Sequence, residues 1–99
     1  MVQVRAERKG QLWTCAVIVL TEGHENQYEV TVSAADLERW GSGDDAAAVE
    51  DLVSRSFDFL LVREPPGSIL RRFDLSVIQR YFPEYDRMFR RLPPPRLKG

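Results

Sequence analysis

The chain has 99 residues, 43% of them hydrophobic and 29% charged, which suits one small globular domain with its own core and excludes two domains or a disordered chain. Its formal net charge is −1, so the sum excludes neither acidic nor basic partners; the distribution says more, with five basic residues against eleven carboxylates in residues 1–62 and nine against four in 63–99. A single cysteine, Cys15, excludes an internal disulfide, no His/Cys cluster supplies a zinc site, and the longest apolar run, Cys15 to Leu20, falls far short of the ~20 residues that span a bilayer. With no basic-then-apolar leader at the N-terminus, the expected compartment is the cytoplasm, and neither a cofactor nor a membrane is expected as partner.

Val2, Val4 and Ala6 alternate with Gln3, Arg5 and Glu7, and Lys9-Gly10 can turn that strand back. In the next run Trp13, Cys15, Val17 and Val19 fall on one face and Leu12, Ala16, Ile18 and Leu20 on the other. A strand apolar on both faces is either covered on both sides or paired centrally. After the turn-like Glu22-Gly23-His24-Glu25-Asn26, Tyr28, Val30 and Val32 alternate with polar residues, which predicts a third strand and a two- to three-stranded antiparallel meander.

Ser33-Ala34-Ala35-Asp36 has the spacing of a capping box and predicts a short helix to Trp40, closed by Gly41-Ser42-Gly43 in the left-handed conformation common at helix ends. Asp44 or Asp45 then caps a second helix. Its stripe Val49, Leu52, Val53, Phe57 and Leu60 recurs at helical spacing, with Glu50, Asp51, Arg55 and Asp58 on other faces. Pro65-Pro66-Gly67 ends it. From Phe73 to Phe82, Leu75, Ile78, Tyr81 and Phe82 fit another helix, which Ser68 or Asp74 can cap. Pro83 stops or bends it, and a short last helix follows with acids early and bases late. The expected class is α+β: a small meander followed by three to four helices on one face, in one domain over residues 1–92, with residues 93–99 as a Pro-rich flexible tail.

Candidate chemistry is sparse. His24 is the natural acid or base of any active site, but it falls in a predicted turn with no Ser or Cys placed as its nucleophile, so it reads as an exposed loop residue. Cys15, inside an apolar strand with no basic neighbour in sequence, reads as a packing thiol. Gly41-Ser42-Gly43 lacks a phosphate-loop pattern, and Ala46 to Ala48 break the spacing that Asp44, Asp45, Glu50 and Asp51 would need to hold calcium. These observations point away from an enzyme.

One constellation has functional promise: Arg71, Arg72, Arg80, Arg87, Arg90 and Arg91, interleaved with Phe73, Tyr81, Tyr85 and Phe89. Arginine and aromatic side chains dominate protein interfaces. The leading expectation is therefore a non-catalytic interaction or oligomerisation module that contacts a protein partner, or a second copy of itself, through Arg80, Tyr81, Tyr85 and Phe89. The alternative is a DNA- or RNA-binding protein that uses the six arginines, since guanidinium groups pair with phosphate and aromatics stack on bases.

Within Phe57 to Tyr85, the matches Arg63-Glu64-Pro65, Phe73-Asp74-Leu75 and Arg80-Tyr81-Phe82-Pro83-Glu84-Tyr85 resemble a small family of short bacterial proteins of unassigned role. The resemblance covers less than a third of the chain. It implies a bacterial cytosolic protein, with no activity, cofactor or catalytic residue to carry over.

Overall fold

In the computed structural model residues 1–90 are described; Arg91 and the Pro-rich segment lie outside them. Three long strands come first: β1 (Val2–Lys9), β2 (Leu12–Thr21) and β3 (His24–Ser33). They pair antiparallel in sequence order, with Lys9 opposite Leu12 and Thr21 opposite His24. The second turn is thus only Glu22-Gly23, closed by Gly23 at φ 77°, a conformation that costs glycine little. His24, Glu25 and Asn26 are strand residues, not loop, because the ladder continues to the turn.

Two helices follow, α1 (Ala34–Trp40) and α2 (Ala46–Arg63). Ser33 Oγ accepts from Asp36 N at 3.1 Å and Asp45 Oδ1 from Ala48 N at 2.9 Å, so both caps are where the sequence placed them. Gly41 is not left-handed, with φ −87°. It is needed for a different reason: a Cβ there would lie 2.6 Å from Leu37 Cδ1 and 2.7 Å from the Leu37 carbonyl.

Residues 72–81 depart most from the helix that their spacing predicts. Instead of one helix from Phe73, Arg72–Asp74 forms a short strand, β4, parallel to β3, and only then does α3 (Ser76–Tyr81) begin, followed by α4 (Glu84–Phe89). The sheet has four strands in the order β1-β2-β3-β4, not two or three. A parallel pair requires a crossover connection, and α1 with α2 supplies it. Strands and helices are therefore not fully segregated along the chain, although the class remains α+β.

Backbone bonds from Glu29 N to Arg71 O and from Leu75 N to Thr31 O, both 2.8 Å, tie β4 to β3. One carboxylate locks the junction. Asp74 Oδ1 accepts from Thr31 Oγ1 at 2.7 Å, while Oδ2 accepts from Ser76 Oγ at 2.6 Å and Ser76 N at 3.1 Å. Asp74 thus pins the strand with one oxygen and starts α3 with the other.

The helices lie on one face of the sheet. Cys15, Val17 and Val19 of β2 and Tyr28, Val30 and Val32 of β3 meet the predicted α2 stripe, all of it buried, together with Trp40 and Leu75. Each such side chain contributes about 1.5–3 kcal/mol by leaving water. Glu50 is not on a solvent face: its Oε2 accepts from Ala6 N at 2.9 Å, covering the outer edge of β1. No described helix is long and apolar enough to cross a membrane.

Replacing Asp74 with Ala removes all three bonds at the β4–α3 junction. The expected loss is about 2–3 kcal/mol of unfolding free energy, measured by urea denaturation, with Asp74→Asn intermediate because it keeps one acceptor oxygen.

Candidate functional site

The strongest candidate site grows out of the chain's proline break. Glu64 ends α2 in extended geometry, because Pro65 and Pro66 cannot continue a helix. Pro66–Ser68 then makes a single 3-10 turn, and Tyr28 Oη donates to the Pro66 carbonyl at 2.6 Å, holding this connection against the sheet. The held connection leaves a cleft of about 240 Å³ between the end of α2, the connection, β4 and α3. Leu60, Ile69, Phe73, Ile78 and Phe82 form its apolar lining, and among the described residues Glu64 is the one charged residue that lines it. Leu70, 53% exposed, and Tyr81, 69% exposed, stand at its rim. Large apolar groups left in water beside an apolar cleft mark an interaction surface more than scattered surface leucines do.

Of the four expected contact residues, the structure gathers only part. Tyr81 is at the rim and Arg80 is exposed next to it on the last turn of α3. Phe89 is half-buried, stacked on Tyr85 with centroids 4.2 Å apart, with the Arg55 guanidinium 5.4 Å from its ring. Tyr85 is wholly buried and presents no surface. Its ring sits edge-on to Trp40 and Phe59. Ser56 Oγ donates its one proton to the Leu52 carbonyl at 2.7 Å, so Tyr85 Oη is the donor in the 2.7 Å bond between the two hydroxyls. Burial pushes the Tyr85 phenol well above its ordinary range. The spacing that suggested an aromatic contact stripe is core spacing.

The arginines do not share one surface either. Arg71 and Arg72 border a shallow depression on the open face of the sheet, together with Arg5 and Lys9 from the supposedly acidic half. Glu7 and Glu29 lie among them, and Glu29 is 3.5 Å from Arg72. Arg80 lies in α3 and Arg87 in α4, while Arg90 follows the end of α4 and pairs back to Asp86 at 2.6 Å. Arg91 lies outside the described residues. Arg63, absent from the expected set, is closely held: it stacks 3.5 Å over the Phe59 ring, donates to the Phe59 carbonyl at 3.0 Å and pairs with Glu84 at 3.4 Å. It docks α4 on α2.

His24 is exposed at the start of β3 and lines neither the cleft nor the sheet depression. Burial pushes the Cys15 thiol up to about 12, with Glu50 nearby adding to the effect, so it is neither a nucleophile nor a ligand at neutral pH. Among the described residues no three His, Cys, Asp or Glu side chains converge on a point that could hold a metal ion.

Asp86 joins α4 to α1: its Oδ1 accepts from Trp40 Nε1 at 2.9 Å. That bond, with help from Arg90, holds the Asp86 carboxyl below the ordinary aspartate range. A carboxylate with a lowered folded pKa adds stability that is complete above its unfolded value and is lost as pH falls toward the folded one. Asp36 is shifted upward by burial and has the opposite sign. Comparing the chain with Asp86→Asn therefore isolates Asp86: urea unfolding between about pH 6 and 3 should show a smaller acid loss in the variant. Tyr85→Phe should cost about 1 kcal/mol in the same assay at neutral pH, through the lost hydroxyl bond.

No protein-family model, no curated protein and no solved structure matches this chain, so its own geometry is the guide to its function.

Proposed function

We propose that this protein is a non-catalytic interaction module whose cleft beside α3 receives an apolar anchor from a protein partner. The observation that supports this reading is the pairing of exposed Tyr81 and Leu70 on the rim of an apolar cleft with Glu64, the one charged residue lining it among the described residues. At about 240 Å³ the cleft is smaller than the ~300–1,000 Å³ usual for cofactors and small-molecule substrates. It suits one large side chain of an extended or helical peptide. Glu64 favours a partner segment with a basic residue next to an aliphatic or aromatic anchor. Tyr81 and Arg80 are of the types that supply most binding energy at such surfaces.

A nucleic-acid role is the second reading, and the cations around the sheet depression are what favours it. Against it stand the carboxylates of Glu7 and Glu29 among them, because a polyanion selects a continuous basic surface. Salt separates the two: phosphate contacts make binding fall steeply with ionic strength, whereas apolar burial does not.

Peptides selected by display against the immobilised protein should carry an apolar anchor beside Lys or Arg. In a titration followed by amide and methyl NMR they should shift Leu70, Val77, Tyr81 and Phe82. Tyr81→Ala and Leu70→Ala should each weaken binding about tenfold or more without unfolding the chain. Selected peptides that map elsewhere, or oligonucleotides that bind tightly with a steep salt dependence, would overturn the assignment.

A further inference from the structure

The strand β2 breaks the rule that its neighbours obey. On the sheet face away from the helices, β1 presents Gln3, Arg5, Glu7 and Lys9, and β3 presents Glu25, Gln27, Glu29 and Thr31, as a solvated antiparallel face should. Between them β2 presents Leu12, Ala16, Ile18 and Leu20, with only Thr14 polar. Strands that are apolar on both faces are ordinarily covered on both faces. Here the helices cover one face, and no described segment covers the other.

Register decides what could cover it. Pairing across the sheet aligns Arg5, Ala16, Glu29 and Arg72 in one row, and Gln3, Ile18 and Gln27 in the next. At the Ala16 row the central strand is thus flanked at equal height by a cation on β1 and an anion on β3, and at the Ile18 row by two uncharged amides. A two-fold axis parallel to β2, midway between two facing sheets, lays β2 on β2 and β1 over β3 of the other copy. Row by row, Ala16 then meets Ala16, Ile18 meets Ile18, and Arg5 meets Glu29 twice. Such a face is complementary to itself, as a symmetric dimer requires. The alternating charges that weaken the case for a polyanion are what this arrangement uses.

We propose that the open sheet face is the interface of a homodimer in which β2 packs on β2 of a second copy and Arg5 of each chain faces Glu29 of the other. This inference is independent of the cleft, which lies on another side of the molecule. The three long strands, at ~4.8 Å spacing and eight to ten residues each, give a facing area of roughly 400 Å² per chain. That is about half the ~800 Å² of a standard interface and belongs to the weak, transient class of association. Arg72, 3.5 Å from Glu29 within one chain, would share that carboxylate with Arg5 of the other.

Sedimentation of the full chain from about 1 µM to 1 mM tests this, with circular dichroism checking that each variant is folded. The expected result is a monomer–dimer equilibrium in which Ala16→Arg, which sets two like charges together on the axis, weakens association about tenfold or more. Arg5→Glu and Glu29→Arg should each weaken it about three- to tenfold, and the two together should restore it to within about threefold. A chain still monomeric near 1 mM would overturn the proposal. So would a dimer indifferent to Ala16→Arg, or a double reversal no better than its single variants, since either places the contact elsewhere.

Discussion

Asp74 carries the architecture of the C-terminal third. One of its carboxylate oxygens takes the Thr31 hydroxyl and the other takes the Ser76 amide and hydroxyl, so the same side chain closes a parallel strand pair and starts a helix. Three residues of β4 cannot hold a strand by ladder bonds alone. The side-chain bond to β3 supplies what length does not, and the position of α3 follows from it. Since Val77, Ile78 and Tyr81 of α3 form one wall of the cleft, the candidate site depends on a carboxylate that does not line it.

The opposite wall has a different origin. Proline forces α2 to stop at Arg63, and the connection that follows is held by the Tyr28 hydroxyl and by burial of Ile69. Neither constraint fills the space between them, and that space is the cleft. On the far side of α2 aromatic rings fill the space. Trp40, Phe59, Tyr85 and Phe89 meet edge-on or stacked, and the Arg63–Glu84 and Trp40–Asp86 bonds clamp α4 in place. One aromatic group thus builds a rigid support, while Tyr81, only four residues before Tyr85, is left facing water.

That contrast shows what the sequence could and could not convey. The two hairpins, both helix caps and the α2 stripe were legible, because each rests on contacts a few residues apart or on a period sustained over many residues. The strand β4 was not, since three residues are too few to alternate and Asp74 reads locally as a helix cap, which it also is. Helical spacing alone placed Tyr81 and Tyr85 alike on an aromatic stripe. Only the crossing of α4 over α2 separates the buried ring from the exposed one. The role of Glu50 is hidden for the same reason: its partner, the amide of Ala6, is 44 residues away. Of the residues that line the cleft, Tyr81 was among the expected contacts, whereas Leu70 and Glu64 were not, because the folded-back connection places them there.

Cys15 sits at the middle of β2, with Ala6 and Val30 as its neighbours across the ladder, and none of it is exposed. An oxidant or alkylating reagent therefore meets this thiol only when the central strand parts from its neighbours or from α2. The intact fold is inert toward thiol chemistry in reducing and oxidising surroundings alike. Because opening must precede modification, the rate at which Cys15 is labelled counts excursions of the sheet, giving the molecule a built-in clock for its own unfolding.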